Sequence, residues 1–210
     1  MGNIDPEPTV FVVDDDESFR RSVRWLLASV NLKVALFASA QDFLRVIRPG
    51  QTGCLVTDVR MPGVSGLELQ QMMVGRDIRL PVIIMTAHGD VDMAVRAMKD
   101  GAMDFIQKPF NDQVFLDLVQ KAVDESVRTE RQRRRQIELR RRLDQLTPRE
   151  RQVLDLIVDG HTNRAIAELL TISDKTVEAH RARVMDKTGA KSLAELMKIV
   201  MALDLHQGKP

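Results

Sequence analysis

Asp14, Asp15, Asp58 and Lys108 are the residues whose types and spacing could do chemistry in this chain. Asp14-Asp15-Asp16 follows the apolar run TVFVV at 9–13, Asp58 follows CLVT at 54–57, and Lys108-Pro109 follows MDFI at 103–106. Carboxylates held close together repel and raise one another's pKa unless a cation neutralises them. Ligands that are all oxygen favour a hard ion, Mg²⁺ (or Mn²⁺); Mg²⁺ takes one or two carboxylates plus water and phosphate oxygens. Such a site can turn one carboxylate into a nucleophile toward phosphorus and form an aspartyl phosphate. The metal and the lysine would then stabilise charge on the transferring oxygens. One acid alone would do no more than keep a sheet edge soluble. Acids and a lysine at three strand ends point to chemistry.

The elements that must bring these residues together are legible as five repeats. Runs rich in β-forming residues stand at 9–13, 33–37, 54–57, 81–86 and 103–106. Each is followed by a segment of helical period, at about 17–30, 40–47, 66–74, 91–100 and from 112 onward. Alternating β and α units within about 120 residues predict a parallel sheet with helices on both faces. The runs at 9–13 and 81–86 are apolar without alternation, as strands buried on both faces should be. In such a sheet ligands sit at the carboxyl ends of the strands, where the three sets of charged residues lie.

Composition narrows the function class. The 210 residues are 44% hydrophobic and 29% charged, with a net charge of +1. Residues 1–123 hold 13 Lys/Arg and 16 Asp/Glu, residues 124–146 hold 8 and 5, and residues 147–210 hold 10 and 9. An acidic front with a neutral-to-basic rear suits metal or phosphate chemistry in front and a polyanion contact behind. The one cysteine, Cys54, excludes an intramolecular disulfide and reads as a small core residue. No stretch is apolar enough for a membrane span, and the polar start MGNIDPEP lacks a signal peptide's apolar region, so a cytoplasmic protein is expected.

From Asp112 to Leu143 there is no Gly or Pro, and RTERQRRRQIELRRR at 128–142 is dense in helix formers. The expected organisation is a front domain over 8–123, a helical linker over 124–143 and an all-helical rear domain over 144–208. In the rear, Thr147 and Pro148 read as an N-cap and first helical residue, and Gly160 as a stop. Thr162-Asn163 opens a short helix with apolar positions Ala165, Ile166, Leu169 and Leu170. Ser173 caps a third helix to about Lys187, which Gly189 closes, and Ser192 starts a fourth at about 193–204. Two helices joined by a three- to four-residue turn form a helix-turn-helix, here about Asn163 to Ala182. At 100° per residue, Val177 and Val184 of the third helix fall inward. Lys175, Ala179, Ala182, Arg183 and Asp186 fall outward, a narrow face able to enter a DNA major groove. Thr176, His180 and Arg181 on its flanks suit phosphates, with a half-buried packing role open for His180.

These segments carry a family resemblance. VFVVDDD at 10–16, LVTDVRMPGVSG at 55–66, IIMTAHGD at 83–90 and DFIQKPF at 104–110 resemble the receiver domain of bacterial response regulators. Residues 146–196, from LTPRE through TVEAHRARVMDKTGAKSLAEL, resemble the LuxR-type helix-turn-helix domain. Together they look most like the FixJ-type subgroup. The resemblance implies a flavodoxin-like five-stranded sheet of order 2-1-3-4-5. It implies that Asp58 is the phosphoacceptor, Asp15 a direct metal ligand, Asp14 a ligand through water, and the main-chain carbonyl of Arg60 a further ligand. Thr86 would hydrogen-bond the new phosphoryl group, Phe105 would be the aromatic switch residue, and Lys108 would pair with phosphoryl oxygens; the Lys108–Pro109 bond is expected to be cis. A sensor histidine kinase and double-stranded promoter DNA are the implied partners, with RNA polymerase a candidate third, and phosphorylation should produce a homodimer. Only autophosphorylation and autodephosphorylation are expected of it as an enzyme. A phosphatase using an aspartyl nucleophile would usually want a second acid two residues after it, where this chain has Arg60. A pure phosphorelay or protein-interaction module is the other alternative, separable by DNA binding.

Overall fold

The computed structural model describes residues 7–87 and 91–204. His88, Gly89 and Asp90 of the receiver-like motif, and residues 205–208 of the expected rear domain, lie outside them. The chain divides into two compact units between Arg131 and Gln132.

In the first unit five strands alternate with helices: β1 (Thr9–Val13), α1 (Glu17–Ser29), β2 (Lys33–Phe37), α2 (Ala40–Val46), β3 (Gly53–Asp58), α3 (Gly66–Val74), β4 (Val82–Thr86), α4 (Val91–Lys99), β5 (Asp104–Gln107) and the start of α5 (Asp112–Asp144), whose residues from Gln132 on belong to the second unit. All pairings are parallel, and the order is β2-β1-β3-β4-β5, as expected. Side chains of β1, β3 and β4 are buried on both faces, which explains their unbroken apolar runs. One core, on the α2–α4 side, gathers Phe11, Phe43, Leu55, Leu69, Met73 and Ile84. The other, on the α1 and α5 side, gathers Val12, Leu27, Val56, Ile83, Phe115 and Val119. Cys54 belongs to this second core, where burial pushes its thiol up to about 12, out of reach of thiolate chemistry.

Two glycines set the sheet's geometry. Gly53 opens β3 at φ +132°, and a Cβ there would stand 1.8 Å from the Thr9 carbonyl oxygen, so only glycine lets β3 lie against β1 in this register. A Cβ on Gly66 would stand 2.3 Å from the carbonyl oxygen of Asp58, so glycine lets the start of α3 close over the end of β3.

The second unit holds α6 (Pro148–Val158), α7 (Asn163–Leu170), α8 (Asp174–Thr188) and α9 (Leu193–Asp204) around a core of Leu143, Leu154, Ile166, Val177, Val184 and Leu196. Thr147, Thr162 and Ser173 cap α6, α7 and α8 through their side-chain oxygens. Glu150 completes a capping box with Thr147. Thr171 (φ +54°) turns the chain between α7 and α8, and Gly189 (φ +73°) ends α8. Of the apolar residues of α7, Ile166 and Ala167 are buried, whereas Leu169 is 59% exposed. Among the described residues no helix is long and apolar enough to cross a membrane.

Candidate functional site

Register alone assembles the acidic site. Val13 pairs with Thr57, so Asp14 and Asp58, one residue further along, are neighbours across β1 and β3. Asp58 pairs with Met85, and Thr86 pairs with Gln107, which brings Lys108 to the same edge. The Lys108 amide donates to the Thr86 carbonyl at 2.7 Å, and the Lys108–Pro109 bond is cis. The Lys108 ammonium then donates to Asp14 Oδ2 at 2.6 Å and to Asp58 Oδ1 at 2.8 Å. Asp58 Oδ2 accepts from the Arg60 amide at 2.8 Å, and Asp14 Oδ1 accepts from the Asp16 amide at 2.9 Å. Asp14 is 2% exposed and Asp58 9%.

The electrostatics follow from that burial. Desolvation pushes the Asp14 carboxyl above its ordinary value, and the Lys108 and Asp16 hydrogen bonds only partly offset it. Burial disfavours the Lys108 ammonium, but its hydrogen bonds to Asp14 and Asp58 outweigh this and hold it above the ordinary lysine value. The site is therefore a buried carboxylate pair whose charge one ammonium offsets only in part.

Not every expected residue enters this cluster. Asp15 is exposed, and Asp16 instead caps α1, accepting from the amides of Ser18 and Phe19. Among the described residues no three His, Cys, Asp or Glu side chains are grouped to hold a metal. The donors are nonetheless all hard oxygens, and a buried carboxylate raised by desolvation is one that a divalent cation would favour, so the residues fit Mg²⁺. Thr86 is 2% exposed at the end of β4, and Phe105 is half-buried against the first core. One contact gave no sign in the sequence: the Lys108 ammonium lies 3.8 Å from the centroid of the Phe19 ring. Phe19, Val23 and Leu27 form a plain i, i+4, i+8 apolar stripe, so Phe19 reads as core and nothing more.

On α8, Val177 and Val184 are buried, while Lys175, Ala179, Ala182, Arg183 and Asp186 are exposed. Thr176, His180 and Arg181 are half-buried on the flanks. His180 Nδ1 is buried without a hydrogen-bond partner among the described residues. Lys187, also on α8, donates to Glu150 Oε2 at 2.7 Å and to the Gln145 carbonyl at 3.2 Å, tying the helix to the α6 capping box. That tie holds Glu150 down at about 2, through the Lys187 bond first and the Thr147 amide second. Each half of the pair was legible as a motif residue, but not their meeting 37 residues apart.

Residues 10–120 match the family described as response regulator receiver domain, and residues 144–200 match the family of bacterial regulatory proteins, luxR family. The chain belongs to the response regulators of the FixJ type. It is 46% identical to the transcriptional regulatory protein FixJ of Azorhizobium caulinodans over 192 residues, covering 91% of each chain. It is 45% identical to the transcriptional regulatory protein TdiR of Thauera aromatica over 201 residues, 94% of this chain and 87% of that one. The solved structure of the response regulator StyR superposes with a TM-score of 0.88 at 44% identity, over 93% of this chain and 98% of that one. This response regulator is thus a phosphorylation-activated, DNA-binding transcriptional regulator rather than a conventional enzyme. Receiver and LuxR-type domains together imply a kinase partner and DNA. Receiver domains generally bind Mg²⁺ at the phosphorylation site.

Proposed function

We propose that Asp58 is the residue phosphorylated, by a sensor histidine kinase, and that its phosphorylation promotes dimerisation and promoter binding. The observation that supports this most is the Lys108 ammonium held between Asp14 and Asp58 at three strand ends. A carboxylate oxygen of Asp58 attacks the phosphorus of a phosphohistidine. The P–N bond breaks, the imidazole leaves with its electron pair, and an aspartyl phosphate forms. Lys108 transfers its hydrogen bonds to the new phosphoryl oxygens, and the Arg60 amide keeps the acceptor carboxylate oriented. Asp14, Asp15, Asp58 and the Arg60 carbonyl would hold Mg²⁺, which supplies further positive charge to those oxygens. The chain's own catalysis is confined to this transfer and to hydrolysis of the product.

Thr86 moves toward the phosphoryl group and Phe105 follows it. The face of α4, β5 and α5 then becomes self-complementary; exposed Val95 and Met98 on α4 and Val114 on α5 support an interface there. Paired rear domains place two α8 helices on a two-fold DNA site, with Lys175, Thr176, Ala179, His180, Arg181, Ala182 and Arg183 as the contact set. The working boundaries are 8–123 for the receiver, 124–143 for the linker and 144–208 for the DNA-binding domain, and the setting is the cytoplasm, with RNA polymerase as a downstream partner. Acetyl phosphate with Mg²⁺ should dimerise the wild type and raise its DNA affinity about 5- to 150-fold, a coupling of roughly 1–3 kcal/mol. The Asp58→Asn variant should show neither effect in sedimentation or DNA-shift titrations. If it responds like wild type, Asp58 is not the switch.

A further inference from the structure

Lys108 is held from three directions. Two of its three N–H donors go to Asp14 and Asp58, and the ammonium sits 3.8 Å from the centroid of the Phe19 ring. The ring is itself fixed. Phe19 meets Phe110 edge-on at 6.1 Å between centroids, and Phe110 stacks on Phe115 at 4.7 Å with 16° between planes. Phe115, on α5, is wholly buried. A lysine side chain has four rotatable bonds and loses considerable entropy when held in one place. A wall behind the ammonium reduces the space it can visit. The nature of this wall matters as much as its presence. An aromatic face attracts a cation through its quadrupole and engages an N–H only weakly, so it competes little with an oxygen acceptor. A third carboxylate there would hold the ammonium more strongly and would compete with an incoming phosphoryl group. An aliphatic side chain would fill the space but would not attract the charge.

We infer that Phe19 is a positioning residue for Lys108: its ring face, anchored in the core through Phe110 and Phe115, keeps the ammonium beside Asp58 while leaving its N–H groups free to pass to the phosphoryl oxygens. This rests on Asp58 as the phosphoacceptor. Phe19 lies five residues beyond Asp14 of the acidic cluster, on the first turn of α1. It acts through Lys108 alone.

The test uses the full-length chain and acetyl phosphate with Mg²⁺, following Asp58 labelling by intact mass. Phe19→Leu keeps an apolar side chain of similar reach and removes the π face. It should slow labelling roughly threefold to thirtyfold, the range set by a partly desolvated cation–π contact. Phe19→Trp, which restores a π face, should recover most of the rate. A packing role alone predicts the opposite order, since tryptophan overfills the site that leucine fits. Equal rates for wild type and Phe19→Leu, or a Trp variant slower than the Leu variant, overturn the inference. A readout independent of labelling is the NMR shift of the Lys108 ε-methylene protons, which the ring should move upfield in the unphosphorylated wild type. Phe19→Leu should abolish that displacement, and a wild-type shift at the ordinary lysine position overturns the inference even if a variant fails to fold. A wild type that takes no label would instead sink the Asp58 reading, with the methylene shift still reporting where Lys108 sits.

Discussion

The acidic cluster is costly to the fold, and its cost sits on one residue. Asp14 is almost fully buried, and desolvation raises its carboxyl even with Lys108 bound to it. A raised folded value means that the ionised carboxylate opposes folding above that value, and the penalty is relieved as pH falls through it. Asp14→Asn removes the charge and keeps the size. In metal-free buffer at neutral pH the variant should melt at a higher temperature than wild type, and added Mg²⁺ should stabilise it less than it stabilises wild type. Calorimetry with and without Mg²⁺ checks both; a variant no more stable than wild type would show that Lys108 already compensates Asp14 in full.

At the scale of elements, the link between α6 and α8 is where charge and architecture meet. Glu150 caps α6 and, from the same carboxylate oxygen, accepts the Lys187 ammonium of α8. Its folded value of about 2 lies below the ordinary 4.5. A depressed value stabilises the fold at pH values above the unfolded one, so this contribution is complete above about 4.5 and is lost as pH falls from there toward 2. Glu150→Gln should therefore be less stable than wild type at neutral pH, with the gap closing across that window. Urea unfolding of both proteins at a series of pH values measures it, and a gap that ignores pH would assign Glu150 a packing role only. Because Lys187 stands at the end of the helix expected to read DNA, the same tie sets how firmly α8 is held.

On the scale of the molecule, the two units have separate cores: Phe11, Leu55, Ile84 and Phe115 among those of the first, Leu154, Ile166, Val184 and Leu196 among those of the second. Separate cores permit separate failures. Leu196 is fully buried, and Leu196→Ala should cost the rear unit about 2–5 kcal/mol through lost burial and the cavity left. Asp58 labelling by acetyl phosphate should be unchanged. Calorimetry and intact mass on one sample decide this, and labelling that falls together with the rear transition would mean that the two units fold as one.

Much of this was legible in the order of residues along the chain. The five strands, their parallel pairing, the caps at Thr147 and Ser173 and the inward valines of α8 follow from local periodicity and turn chemistry, which act over a few residues and leave a pattern there. The acidic edge followed because parallel strands must deliver their ends to one side, whatever packs around them. What folding alone decided lies between residues far apart. Lys108 bridges Asp14 and Asp58 across 94 and 50 positions while Asp15, one residue away, stays exposed. Alternation along β1 selects one of two adjacent carboxylates, and side-chain direction at a strand end is settled by register. Leu169 and Trp25 are apolar yet 59% and 79% exposed, because burial of apolar residues is a one-way rule and a helix offers its outer face regardless. The Phe19 ring under Lys108 is the sharpest case. An aromatic residue in a helical stripe looks the same whether it fills a core or holds a cation, and only the partner that folding brings to it tells the two apart.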